Sequence, residues 1–112
     1  MNRETFLKQV DDYLLSNGFG KDNDIYFKSV QQQEPAQQII INGQMMVQPG
    51  KVVKIDFKVI LQGEGSIDDK EYFEMIGFEI TQDKSCICEF SQSFYYDEFI
   101  LFTKYCNKLF NI

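Results

Sequence analysis

Between Asn2 and Asn17, apolar side chains recur every three or four residues, as Phe6, Leu7, Val10, Tyr13 and Leu14. That spacing predicts an amphipathic helix, with Lys8, Gln9, Asp11, Asp12 and Ser16 on its wet face. Asn2 or Thr5 can cap its start. Asn17-Gly18 is a natural stop, because glycine adopts the left-handed conformation without steric cost. GFGKDND then reads as a loop. The next run, Asp24 to Val30, is rich in aromatic and branched residues and reads as a short strand. QQQEPA follows as a polar connection that Pro35 keeps out of a helix.

Gln37–Ile41 and Gln44–Gln48 flank Asn42-Gly43. This dipeptide predicts a two-residue hairpin, since a type I′ turn needs positive φ at both central positions. Pro49-Gly50 marks the next turn. From Lys51 to Gln62 the pattern alternates strictly. Val53, Ile55, Phe57, Val59 and Leu61 form one set, and Val52, Lys54, Asp56, Lys58 and Ile60 the other. Such alternation predicts a strand with one buried and one wet face. GEGSIDDKE reads as a turn, and Tyr72–Thr81 as another strand. Its apolar set changes phase between Phe73/Met75 and Ile76/Phe78/Ile80, which predicts a bulge beside Gly77. Gln82–Ser85 turns the chain, and Cys86–Gln92 is the last expected strand, with Cys86, Cys88 and Phe90 on one face.

A second helix is expected over Asp97–Phe110, on a stripe of Phe99, Phe102, Cys106, Leu109 and Phe110, capped by Ser93 or Asp97. The order is helix, five or six strands, helix. Short turns between consecutive strands predict an antiparallel sheet in meander order. Helices at both ends cannot be parallel crossovers, so the expected class is α+β, a two-layer sandwich forming a single domain over residues 1–112.

Charge and composition narrow the function. The net charge is −6 and Arg3 is the only arginine. Nucleic acid and anionic membrane surfaces call for clustered Lys and Arg, so neither is an expected partner. No apolar run approaches the length of a membrane helix, and Met1–Leu15 lacks the unbroken apolar core of a signal peptide. The three cysteines, Cys86, Cys88 and Cys106, are an odd number without framework spacing, which fits reduced thiols and a cytoplasmic location.

Histidine is absent. This removes the commonest general base and the commonest metal ligand, so no enzyme activity, cofactor or metal is expected. If Cys86 and Cys88 share a strand face, they point toward the helix carrying Cys106. Their expected role is as small apolar core residues, because three thiols lack a fourth ligand for zinc. The segment 64–74 carries Glu64, Asp68, Asp69, Glu71 and Glu74 without the calcium-loop spacing, and reads as a solvated acidic turn able to steer a basic partner. SFYYDEFILFTKY has more rings than a helix usually needs, which suggests a second role: closing over a small apolar ligand held against the sheet.

The strongest functional lead is EPAQQIIINGQMMVQPGK, where Pro35 to Gly50 holds no charge. In a hairpin, Ile39 and Ile41 share one face and Ile40 takes the other; on the return strand Met45 and Val47 share a face and Met46 takes the opposite one. Both faces are apolar, and helices on one side of a sheet leave the other wet unless an adjoining loop covers it. Contiguous exposed apolar area marks interfaces. The expectation is a small, non-enzymatic protein-binding module that masks or holds a partner, as inhibitors, immunity proteins and chaperones do. Ile39, Ile40, Ile41, Met45, Met46 and Val47 would make the contact, either with another protein or with a second copy in a homodimer.

Overall fold

The computed structural model describes residues 2–112. Helix α1 (Arg3–Ser16) opens with Asn2 as its cap, whose side-chain oxygen accepts from the Thr5 amide at 2.8 Å. Seven strands follow: β1 (Gly20–Asp22), β2 (Ile25–Gln33), β3 (Gln37–Ile41), β4 (Gln44–Gln48), β5 (Val52–Ile67), β6 (Glu71–Gln82) and β7 (Ser85–Tyr95). Helix α2 (Phe99–Phe110) closes the chain, with Glu98 in the cap position instead of Ser93 or Asp97. The fold is α+β. Its main sheet is antiparallel with strand order β1-β2-β5-β6-β7. The meander is interrupted once, where β3 and β4 leave it as a separate two-stranded sheet.

Several elements run longer than local pattern predicts. β1 lies in the expected loop, pairing with β2 through a two-residue turn in which Asn23 has φ 56°. Gln31–Gln33 belong to β2 because the ladder with β5 supplies their backbone partners. Glu64 to Ile67 likewise belong to β5, paired with β6. The turns at Asp68-Asp69 and Asp83-Lys84 both use positive φ, the geometry that suits a tight hairpin.

Both helices lie on one face of the sheet. Phe6, Val10 and Leu14 of α1 and Phe102, Cys106 and Phe110 of α2 pack on Tyr26, Phe57, Val59, Ile76, Phe78 and Phe94. Phe78 is the hub: five rings, of Phe90, Phe94, Phe102, Tyr105 and Phe110, lie 5.2–6.3 Å from its own. These distances suit edge and offset packing, which adds to simple burial. Lys28 stands on the same face, and its ammonium reaches the Asn17 carbonyl at 2.8 Å, at the end of α1.

The bulge predicted beside Gly77 lies elsewhere. β6 alternates without a break through Glu74, Ile76, Phe78 and Ile80, all buried. The apparent phase change arises because a carboxylate takes an apolar position. The extra residues are Gln62 in β5 and Ile87 in β7, where the ladders shift register. Gly77 serves a different purpose: a Cβ there would meet the Gln62 side chain at 2.7 Å.

The helices are too short for the sheet. At 1.5 Å per residue α1 and α2 span roughly 21 and 18 Å, whereas the sixteen residues of β5 span roughly 53 Å. The molecule measures 70 × 27 × 23 Å, with a radius of gyration of 19.0 Å. A compact chain of this length would have about 13 Å. Sheet therefore extends past the helices at both ends, and at one end β3–β4 prolongs it.

Candidate functional site

The β3–β4 hairpin forms as its sequence predicts. Ile40 pairs with Met45 and Ile41 with Gln44, and Asn42 and Gly43 take φ 52° and 79°. Ile39, Ile41 and Met46 share one face, and Ile40, Met45 and Val47 the other. Among the described residues, both faces are left largely open. Ile40 is 74% exposed, Met45 68% and Val47 65%. Of the six predicted contact residues only Ile39 is half-buried, and all six belong to one arm.

The arm continues the β2–β5 ribbon in register. The last pair of the main ladder is Gln33↔Val52 and the first of the arm is Gln37↔Gln48, so three residues separate them on each side. The Glu34 amide still donates to the Lys51 carbonyl at 2.9 Å. Beyond that bond Pro35 and Pro49 each remove a backbone donor, and the ladder stops. Gly50 completes this neck, because a Cβ there would fall 1.8 Å from the Glu34 carbonyl oxygen. An isolated two-stranded hairpin is marginally stable in water. Among the described residues this one is held at its base only, and both of its outer strand edges are unpaired.

Next to the neck, the face that carries the helices bears a groove of about 500 Å3. It opens where α2 ends. Val30, Ile55, Phe57 and Ile80 form its floor, with Leu109 on the helix side and Ile87 at the rim. The groove meets the aromatic helix at its last turn, through Leu109 and Phe110, and Phe102, Tyr105 and Phe110 of that helix pack their rings around Phe78.

The acidic turn stands at the opposite end of the main sheet from the arm, since β5 runs from the neck to that turn. Asp68 and Asp69 form its tip, and Glu71 opens β6, accepting from the Tyr95 hydroxyl at 3.3 Å. Glu64 is separate from this group. It faces the helix side, directly opposite Glu74, and accepts from the Tyr96 hydroxyl. Burial, followed by that hydrogen bond, raises the Tyr96 pKa above the usual phenol range. Glu74, read from sequence as part of a solvated turn, is wholly buried, with Arg3 Nε 2.8 Å from its carboxylate. The chain's single arginine thus compensates a core carboxylate.

The cysteines do not share a face. The extra residue Ile87 leaves Cys86 opposite Thr81 and Cys88 opposite Ile80. Thr81 and Ile80 point to opposite sides, so Cys86 is exposed while Cys88 packs on the core. Cys106 is buried, and burial pushes its pKa up to about 12. Among the described residues no three Cys, Asp or Glu side chains come together as ligands for a metal ion. No described helix is long and apolar enough to cross a membrane.

The chain matches no family model, no curated protein and no solved structure.

Proposed function

We propose that this protein is a small cytoplasmic protein-binding module, non-enzymatic, that acts by holding or masking another chain against its β3–β4 arm. One observation carries the reading. The arm is uncharged from Pro35 to Gly50 and exposes Ile40, Met45 and Val47 on one face and Ile41 and Met46 on the other. Burying such a side chain is worth roughly 1.5–3 kcal/mol, so leaving five in water is a cost that a partner removes. The adjacent Met45 and Met46 suit an irregular partner surface, because the unbranched thioether side chain adapts its shape. The glutamines around them offer hydrogen bonds without charge.

The test is affinity capture from the native host's lysate, comparing wild type with Met46→Asp. The substitution lies outside the core, so the variant should unfold within about 0.5 kcal/mol of wild type. One stoichiometric protein chain captured by wild type and lost in the folded variant supports the module. Equal capture by both would remove the arm from the reading.

A second reading rests on the groove. Its volume and apolar floor fall within the range of small-molecule sites, so it could carry an apolar ligand. Native mass spectra of protein purified from the host would then show an added small mass, and Ile87→Asp would lose it.

A further inference from the structure

We infer that the chain held by the arm is a second copy of this protein, in a reciprocal exchange in which each arm fills the other's groove. This rests on reading the arm as a contact surface and adds the identity of the partner.

Arm and groove are successive parts of one ribbon. The neck inserts equal lengths on both strands, so the pairing register of the ribbon is kept across it. Counting by twos from Val30 on β2 leads to Ile40, and counting back from Val53 on β5 leads to Val47 and Met45. By that count these three belong to the same alternate set as the groove floor. They are also among the most exposed apolar side chains in the chain.

Length agrees as well. Each arm strand has five residues, and the groove is flanked along β2 from Lys28 to Gln32, also five residues, or about 17 Å for each. The groove ends at the neck, where the arm begins. A two-fold axis across the neck, parallel to the plane of the sheet and just above the groove-bearing face, exchanges the two sides of the neck. It lays the arm of one copy over the groove of the other, with Ile40, Met45 and Val47 facing down. The operation is its own inverse, so the second contact forms with the first.

Symmetry also answers the question of size. A single arm in a groove is small against the roughly 1,200–2,000 Å2 of a stable interface. The exchange doubles the contact and adds the two necks.

Charge permits a second copy. Each chain carries −6, so two copies repel unless charge at their contact is absent or balanced. The arm has no charge, Lys28 is the only charged side chain among the described residues that line the groove, and at the neck Glu34 stands with Lys51 and Asp83. A basic partner would be expected to seek carboxylates, and the acidic turn is at the far end of the sheet.

Sedimentation equilibrium across a concentration series tests the exchange, using wild type, Ile40→Asp in the arm and Ile87→Asp in the groove. Ile87 is 58% exposed, so both substitutions should leave the fold intact, with circular dichroism as the check. Wild type should dimerise. Each variant alone should dimerise at least roughly tenfold more weakly. A wild type that stays monomeric at about 100 μM overturns the exchange while leaving the arm open to another protein. An Ile87→Asp variant that dimerises like wild type, with Ile40→Asp monomeric, also overturns it and points to arm-on-arm pairing. A dimer indifferent to Ile40→Asp overturns the exchange and counts against the arm itself.

Discussion

Replacing Arg3 with Met strands Glu74. The carboxylate has no solvent exposure and faces Glu64 on the neighbouring strand, while Arg3 contacts it through Nε at 2.8 Å and Nη2 at 3.4 Å. Removing one partner of a fully buried pair costs about 3–5 kcal/mol, most of it the penalty of the charge left behind. Here the Arg3 side chain is 45% exposed, so water already screens part of the attraction, and about 2 kcal/mol is the appropriate figure. In urea unfolding, where stability changes by roughly 1–3 kcal/mol per molar, the midpoint should drop by about 1 M.

One control isolates the cause. Arg3→Met combined with Glu74→Met removes both charges and fills the site with apolar atoms, so it should regain most of the loss. A single variant within about 0.5 kcal/mol of wild type, or a double variant no better than the single, would refute the claim that Arg3 is there to compensate Glu74.

Thiol labelling should distinguish the three cysteines: Cys86 reacting fast in the native protein, Cys88 slowly, and Cys106 only on unfolding, because burial keeps its thiol protonated. Fast labelling of Cys106 in the folded chain would contradict the packing of α2. Alkaline unfolding should involve Tyr26, whose pKa burial, and then its hydrogen bond to Asp11, raise from 10.0 to about 12. A phenol with a raised folded pKa contributes stability that is complete below pH 10.0 and is lost as pH climbs toward 12. Tyr26→Phe should therefore show a shallower loss across that window, measured by urea midpoints, and an unchanged slope would count against the assignment.

Much of the architecture follows from local pattern. The three-four spacing of Phe6, Val10 and Leu14 specifies α1. Strict alternation from Val53 to Leu61 specifies β5 and its buried face. Asn42-Gly43 specifies the arm's turn, because few other residues tolerate positive φ at both positions. The six apolar arm residues and their division between two faces were legible for the same reason: in a two-residue hairpin, register is set by the turn itself.

What the pattern missed depends on residues far apart in sequence. β1 has only three residues and exists because β2 offers it an edge. Glu74 resembles a surface acid until Arg3, seventy-one positions away, is brought against it. Cys86 shares a face with Cys88 only in an ideal strand, and the pairing of β7 with β6 inserts Ile87 and separates them. The two bulges and the groove likewise arise from strand-to-strand register and from helices shorter than the sheet they cover. Local sequence determined which segments become helix, strand and turn, because backbone preference and periodicity act over a few residues. Tertiary pairing decided that the arm stands clear of the core and that the acidic turn lies at the other end. Those outcomes depend on which strands accept each other's hydrogen bonds and on how far the helices reach.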